Sequence, residues 1–244
     1  MLQALIHGKL SRTQENLEDI LTSNIFGLIK YFPPQEALFP FLSKAKNLRR
    51  KTLPLSDLPD DVRVEYKFWP PFSEEGCKPC EPDVVIRIYP KNESQGIIIF
   101  IEAKYRSGKS SYEDESEKAN DQLAREWSNL KRISQQQKSK PYLVYLTPDF
   151  SFPTKEIEDS QNELLKKNDL PGDIYWLSWR HFQQIPEIVE NDFVKDIVIV
   201  LRDRLGLVYY SGIYIDERNI PKNPYKFTKT YSWKFEDIET LWNF

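Results

Sequence analysis

Two β-rich segments joined by a short turn are the feature of the sequence that most constrains its fold. Residues 84–89 are rich in Val and Ile, residues 97–101 are uninterrupted apolar, and the residues between them have turn composition. A run of five apolar residues is typical of a strand buried on both faces. Charged residues nevertheless stand at the outer ends: Asp83 before the first segment, and Glu102 and Lys104 after the second. Charges beside a buried strand are rare unless they are paired, bind a metal or take part in chemistry.

An antiparallel hairpin folded about this turn brings the three charged side chains together. With the turn centred near residue 93, Asp83 lies opposite a residue near 103, close to both Glu102 and Lys104. Glu102 and Lys104 are two residues apart, so they point to the same face of their strand. A shift of one residue in the register would turn Asp83 to the other face, and the sequence leaves that register open.

Two carboxylates and an ammonium at one point of a sheet favour the binding of a hard divalent cation. Mg²⁺ prefers oxygen ligands and binds through one or two carboxylates plus the oxygens of a phosphate. The metal stabilises the charge that builds on a phosphodiester under attack and lowers the pKa of a bound water. A lysine beside it can position or deprotonate that water, or stabilise the transition state. The alternative is a structural salt-bridge cluster at the end of a strand.

The first helix adds a third acid. Its apolar stripe centres between Leu17 and Leu21, and Glu18 lies about 60° from that centre at about 100° per residue, on the side that faces the sheet. Glu15 and Asp19 lie farther round. Glu18 is therefore the acid of this helix that we expect to reach the edge of the sheet, the alternative being a solvated helix acid.

The remaining pattern predicts an α/β fold with a mixed central sheet flanked by helices. The first predicted strand alternates apolar and charged residues and is expected to be half exposed. Gly206 is expected to cap the last helix, which we expect to be well buried because it is rich in Val and Ile. Residues 1–206 are expected to form one domain, and residues 207–244 an aromatic-rich extension packed on it. The predicted helices cover residues 11–31, 35–47, 113–136, 155–167, 179–189 and 192–205, and the predicted strands cover residues 62–69, 83–89, 97–101, 142–146 and 174–178.

Composition excludes several other classes of protein. A net charge of -3 gives no global attraction for nucleic acid, so any basic surface must be local. Cys77 and Cys80 form only half of a zinc site, and we interpret them as an incidental pair in a turn. The N-terminus lacks a signal-peptide pattern and no apolar run approaches the roughly 18 residues of a membrane span, so we expect a cytoplasmic protein without membrane contact.

A short motif after Lys104 is similar to the end of a phosphate-binding loop. Ser107-Gly108-Lys109-Ser110 lacks the glycine that such a loop needs five residues before Gly108, where Ala103 stands. We therefore expect no nucleotide cofactor. Arg106 and Lys109 are instead predicted to contact a nucleic-acid backbone beside the site, with an ordinary solvated loop as the equal alternative.

In this context Pro82-Asp83 and Glu102-Ala103-Lys104 resemble the signature of the PD-(D/E)xK nuclease superfamily, which has the restriction-endonuclease-like fold. The acidic first helix and the long helix after the lysine follow the same order, and the resemblance extends over residues 11–178. It implies a metal-dependent nuclease using Mg²⁺, with Mn²⁺ as a substitute. DNA is the implied substrate and RNA is not excluded. The resemblance also suggests a setting in bacterial restriction, phage defence, mobile elements or repair.

The resemblance carries roles over to particular residues. Asp83 and Glu102 would be metal ligands, and the backbone carbonyl of Ala103 a further one. Lys104 would be the catalytic lysine. Glu18 would match an acid of the first helix that helps to bind the metal or orients the lysine.

Some branches of the superfamily also place a glutamine on the helix that follows the lysine. Gln122 could take this place, although it lies to the side of the apolar stripe. One such site cuts one strand, so double-strand cleavage would need a homodimer or a partner subunit. The rival interpretations are a catalytically inactive nucleic-acid-binding or scaffolding protein that keeps the fold, and a structure-selective resolvase or RNA-directed nuclease of the same fold.

Overall fold

The structure is a computed structural model that describes residues 15–55, 58, 59, 61–91, 95–105, 119–167, 169, 172–187 and 192–209. These residues belong to one compact unit, residues 1–209, whereas residues 210–244 fall in a second unit outside the described ranges. The predicted extension over residues 207–244 therefore lies almost wholly outside the described residues. None of the helices in the described ranges is long and apolar enough to cross a membrane.

The described chain runs from two helices through three consecutive strands into alternating helices and strands, which is the order that the sequence predicts. The strands are half-exposed or buried according to their patterns, and the alternating first strand is half-exposed as predicted. The elements in chain order are α1 (Glu15–Ile29), α2 (Leu38–Leu42), β1 (Val62–Phe68), β2 (Val84–Pro90), β3 (Gly96–Ala103), α3 (Gln122–Gln136), β4 (Ser139–Thr147), α4 (Thr154–Lys166), β5 (Ile174–Ser178), a 3₁₀ helix (Trp179–Glu187), α5 (Asp192–Ile199) and a π-helical turn (Val200–Arg204).

The five strands form one mixed sheet in the order β1-β2-β3-β4-β5. The strands β1, β2 and β3 are antiparallel neighbours, while β3, β4 and β5 are parallel. The prediction of a mixed sheet flanked by helices is confirmed. The central strand β3 has a hydrogen-bonded partner on each side, and its apolar run is buried throughout because side chains pack on both of its faces.

Helices cover both faces of the sheet because side chains alternate along each strand. On one face, Ile99 and Ile101 of β3 pack with Ile25 of α1 in a core that also includes the aromatic side chains around Trp179. On the other face, Phe100 packs with Leu123 of α3 and with the apolar side of α4. Glu102 has the parity of Phe100, so it projects towards α3.

Two predicted helices are shorter in the structure. The helix predicted over residues 35–47 is helical only as α2, because the backbone N–H and C=O of Lys46 pair with Trp176 at the edge of β5. The helix predicted over residues 113–136 begins at Gln122. The carboxylate of Asp121 accepts the N–H of Ala124 at 3.1 Å, and this N-cap bond sets Gln122 as the first residue of the helix.

The last predicted helices also differ in form. Residues 179–187 adopt a 3₁₀ helix, in which the N–H of Ser178 donates to Nδ1 of His181 at the start. The helix predicted over residues 192–205 is α-helical only to Ile199. Ile199 is 48% exposed, so the expectation that the helix is well buried is wrong at its end. Gly206 has a φ of 65° and the N–H of Leu207 donates to the carbonyl of Leu201, which confirms the predicted glycine cap.

Candidate active site

The hairpin of β2 and β3 places Asp83 opposite Glu102. Val84 pairs with Ile101 and Val85 with Phe100, so one further step of the same register sets Asp83 against Glu102. Residues that face each other across an antiparallel pair share a face of the sheet. The predicted convergence of the two acids is confirmed at the level of register, and both side chains are buried.

Two N–H groups hold the carboxylate of Asp83. The N–H of Ala103 donates to Oδ2 at 2.8 Å, and the indole N–H of Trp69 donates to Oδ1 at 3.1 Å. Burial raises the pKa of Asp83 well above its usual range, and the charge of Glu102 raises it further, against the opposing effect of Lys104. Each oxygen of the carboxylate has accepted one hydrogen bond and keeps capacity for another ligand.

Trp69 reaches Asp83 through a backbone conformation that bulky residues rarely adopt. Its φ is 47°, in the left-handed region, which costs of order 1–3 kcal/mol for such a residue. Its backbone N–H also donates to the carbonyl of Asp83 at 3.0 Å, which continues the pairing of β1 with β2. Two hydrogen bonds from one residue therefore fix both the backbone and the side chain of Asp83.

Glu102 is the most buried acid of the hairpin, with 1% of its surface exposed. Its Oε1 lies 2.6 Å from Nζ of Lys104 and accepts a hydrogen bond from the side-chain amide of Gln122. Its Oε2 has no hydrogen-bond partner within the described residues. A buried carboxylate oxygen without a donor is costly, so this atom marks a place where a cation or a proton would stabilise the site.

Lys104 is buried among carboxylates just past the end of β3. Its Nζ lies 3.4 Å from Oε1 of Glu18 in addition to its contact with Glu102. Burial by itself would lower the pKa of Lys104, but the carboxylates of Glu102, Glu18 and Asp83 raise it above its ordinary value. The side chain is therefore an ammonium ion at neutral pH. The indole N–H of Trp179 donates to the carbonyl of Lys104 at 2.9 Å and fixes the backbone there.

Glu18 reaches the site from α1 by two contacts. Its Oε2 accepts the backbone N–H of Tyr105 at 2.8 Å, and its Oε1 faces Lys104. Leu21 and Ile25 anchor the buried side of α1 on the sheet, which turns Glu18 towards the end of β3. The predicted position of Glu18 at the sheet edge agrees with the structure.

The start of α3 brings Gln122 to Glu102. The carboxylate of Glu163, from α4, accepts the backbone N–H groups of Asn120 and Asp121, and Asp121 in turn caps α3. This chain of hydrogen bonds fixes the first turn of the helix. Gln122 therefore meets Glu102 although it lies to the side of the apolar stripe of α3.

Glu126 is a buried acid of the site that the sequence analysis did not identify. It lies one helical turn after Gln122, is 1% exposed, and interacts with Glu102. Burial raises the pKa of Glu126 well above its usual range, and Glu102 raises it further. A signal was present, because Glu126 lies only about 40° from the centre of the apolar stripe at about 100° per residue. A charge inside an apolar stripe predicts a buried polar site.

The arrangement can hold a divalent cation through a small number of oxygen ligands. Asp83 and Glu102 supply carboxylate oxygens, and Oε2 of Glu102 is the one without a donor. No group of three or more His, Cys, Asp or Glu side chains in the described ranges is arranged to hold a metal ion. Two carboxylates are the kind of donor set through which Mg²⁺ binds while it keeps several waters.

The other predicted contacts are less informative. Arg106 and Lys109, predicted to contact nucleic acid, lie outside the described residues. Cys77 and Cys80 are free thiols, and the burial of Cys77 raises the pKa of its thiol. The backbone of Cys80 pairs with Phe72, so this segment forms a small bridge of its own.

Comparison of the chain with protein-family models, with curated proteins and with solved structures gives no match.

Proposed function

We propose that this protein is a metal-dependent nuclease that hydrolyses phosphodiester bonds, with DNA as its substrate. The observation that carries the proposal is the convergence of Asp83, Glu102 and Lys104 at the end of β3, with one buried oxygen of Glu102 lacking a donor. The resemblance to the PD-(D/E)xK superfamily and its restriction-endonuclease-like fold rests on the same three residues.

Asp83 and Glu102 are the proposed ligands, with the carbonyl of Ala103, the residue after Glu102, as a further one. A bound divalent cation would lower the pKa of a coordinated water and neutralise charge on the phosphate. Asp83 is preorganised for this role because Trp69 and the Ala103 N–H fix its carboxylate. Glu102 is oriented by Gln122 and Lys104, which leaves Oε2 facing away from both.

Lys104 acts by charge in this proposal. Its ammonium ion donates hydrogen bonds and cannot accept a proton while three carboxylates raise its pKa. It therefore positions the attacking water or stabilises the negative charge of the transition state. Glu18 positions Lys104 through their contact and through the Tyr105 N–H.

DNA is proposed as the substrate on the strength of the resemblance, and one site of this kind cuts one strand. Cutting both strands then requires a second copy of the chain, a partner subunit or two binding events. The overall charge of -3 requires that phosphate contacts come from local cations.

The test is a cleavage assay with plasmid DNA, short DNA duplexes and matching RNA in Mg²⁺, Mn²⁺ or EDTA. We expect cutting only with the metals, and a decrease of about 10²–10⁴-fold for Lys104→Met, which keeps the buried stem and removes the charge. Lys140→Ala is the matched control, because Lys140 is an exposed lysine on the neighbouring strand β4. The absence of metal-dependent cutting, or equal cutting by Lys104→Met and wild type, would overturn the proposal.

A binding or scaffolding protein without catalysis is the second candidate. The observation that favours it is the ion pair of Glu102 and Lys104 at 2.6 Å, which satisfies both charges without a metal. Such a protein would bind DNA equally well in Mg²⁺ and in EDTA. The affinity of Asp83→Ala for a DNA duplex separates the two candidates, because a pure binder is indifferent to this change and to the metal.

A further inference from the structure

The basic segment, which we define as residues 44–51 between α2 and β1, is a local concentration of positive charge. Its five exposed cations are Lys44, Lys46, Arg49, Arg50 and Lys51. The sequence contains no acid from residue 37 to residue 55. Within the described residues, none of the five cations has a carboxylate at ion-pair distance. Their charge is therefore available to an anion from outside the protein.

Hydrogen bonds close the basic segment into a turn. The N–H of Asn47 donates to the carbonyl of Lys51 at 3.0 Å, and the N–H of Arg50 donates to the carbonyl of Asn47 at 2.9 Å. The side-chain oxygen of Asn47 accepts the N–H of Lys51 at 3.0 Å. The cations project from this closed turn, so binding a ligand need not order its backbone.

An aromatic ring orients the guanidinium of Arg50. The Cζ of Arg50 lies 4.4 Å from the centroid of the Phe152 ring. That ring packs edge-to-face on the buried Trp176 of β5, with ring centroids 5.7 Å apart. Stacking covers one face of the guanidinium and leaves its N–H groups, which lie in the plane, for an acceptor. A planar fork of N–H groups matches the oxygens of a phosphate.

The loop after β4 carries a second pair of the same kind. The Cζ of Arg180 lies 3.5 Å from the centroid of the Phe150 ring, and Phe150 is 71% exposed. The Nε of Arg180 donates to the carbonyl of Pro148, and its Nη1 donates to the carbonyl of Val208. Its Nη2 has no acceptor in the parts of the chain that the structure describes. This nitrogen is the part of Arg180 that remains for an anion.

The pairing of the strands places the basic segment on the same row of the sheet as Glu102. Glu102 of β3 pairs with Tyr145 of β4, which pairs with Trp176 of β5. Trp176 pairs in turn with Lys46. Directly opposite residues share a face of the sheet, so Lys46 is on the face of Glu102. Three steps of about 4.8 Å put Lys46 about 14 Å from Glu102.

We propose that the basic segment and the two arginine–phenylalanine pairs bind the phosphate backbone of the DNA strand that enters the candidate active site. The inference rests on the proposed function, since it identifies the local cations with which a chain of net charge -3 holds its substrate. At a rise of about 3.4 Å per phosphate, these contacts lie about four nucleotides from the bond that is cut. They hold the strand in position without reading its sequence.

The experiment is fluorescence anisotropy of a short labelled DNA duplex in EDTA at several NaCl concentrations. The logarithm of the binding constant falls with the logarithm of the salt concentration, with a slope of about -0.9 per neutralised phosphate. We expect the slope for Arg49→Gln/Arg50→Gln to be shallower than that of wild type by about 1.8, because two phosphate contacts are lost.

Lys138→Gln/Lys140→Gln is the matched control. It removes the same charge from two exposed lysines at the opposite edge of the sheet, where Lys140 pairs with Ile97. The control is expected to keep the slope of wild type. Thermal melting shows whether each variant is folded.

Equal slopes in Arg49→Gln/Arg50→Gln and wild type would overturn the inference and leave these cations to an acidic protein partner. An equal change in the matched control, or no binding by wild type at low salt, would overturn it too. A wild type that cuts DNA while the slopes stay equal keeps the proposed nuclease and loses this surface. A shallower slope in a protein that cuts no nucleic acid keeps the surface and rejects the nuclease.

Discussion

Replacing Glu126 by glutamine is expected to flatten the pH dependence of stability in the metal-free protein. Burial and the neighbouring Glu102 raise the pKa of Glu126 well above its ordinary value of 4.5. Between 4.5 and the raised value, the folded protein keeps a proton that the unfolded protein has lost. The free energy of unfolding therefore falls as the pH rises through this window. The stabilising contribution of the Glu126 proton is fully present only below pH 4.5.

The size of this change in the free energy of unfolding follows from the single proton that the folded protein keeps on Glu126. A difference of one bound proton changes the free energy of unfolding by about 1.4 kcal/mol per pH unit, so two pH units inside the window amount to about 2.7 kcal/mol. Glutamine has no proton to lose, and its amide can donate to the Oε2 of Glu102 that now lacks a donor. Asp83, whose pKa is also raised, contributes a slope of the same sign that remains in the variant.

Urea unfolding in EDTA at several pH values above 4.5 measures this difference. The two curves of stability against pH should diverge by about 1.4 kcal/mol per pH unit, with Glu126→Gln becoming the more stable protein as the pH rises. Glu158→Gln should run parallel to wild type, since Glu158 is exposed. Parallel curves for Glu126→Gln and wild type would refute the reasoning, because they would show that Glu126 ionises equally in the folded and unfolded protein.

Two further substitutions test the supports of the site and a third tests the packing of α3, all by urea unfolding. Trp69→Phe removes the indole N–H from Asp83 and should cost about 1.5–3 kcal/mol, and no loss would show that this hydrogen bond contributes nothing. Asp121→Ala removes the N-cap of α3 and should cost about 0.5–2 kcal/mol, whereas a neutral result would mean that another residue caps the helix. Gly172→Ala should cost about 1–3 kcal/mol because its Cβ would overlap the ring of Trp127, and unchanged stability would show that this ring can move.

The hairpin and its charges were predictable because they depend on short-range geometry. The turn composition predicted the pairing of Asp83 to within about one residue, and the observed register of Val84 with Ile101 then sets Asp83 against Glu102. The strand boundaries followed from apolar runs and were close to those observed, as at Ile174–Ser178. Glu18 was predictable for the same kind of reason, since helical spacing fixes its angle to the apolar stripe.

The contribution of α3 was harder to predict because it depends on contacts between distant segments. The start of the helix is set by Asp121 and by Glu163, which lies more than forty positions later in the sequence. The sequence pattern extends the helix back to residue 113, and that longer helix hides the cap that positions Gln122. Glu126 was visible as a charge in an apolar stripe, but its partner Glu102 lies on another element.

The hydrogen bonds that hold Asp83 and Glu18 also give each of these two acids its own magnetic reporter. The amide of Ala103 donates to Asp83, and the amide of Tyr105 donates to Glu18. In ¹H–¹⁵N spectra these two resonances should therefore respond separately when an acid is protonated or binds a cation. The indole N–H of Trp69, in a spectral region shared by only six tryptophans, provides a second reading on Asp83. Three assigned signals are thus enough to tell whether Asp83 or Glu18 is the first to gain a charge partner.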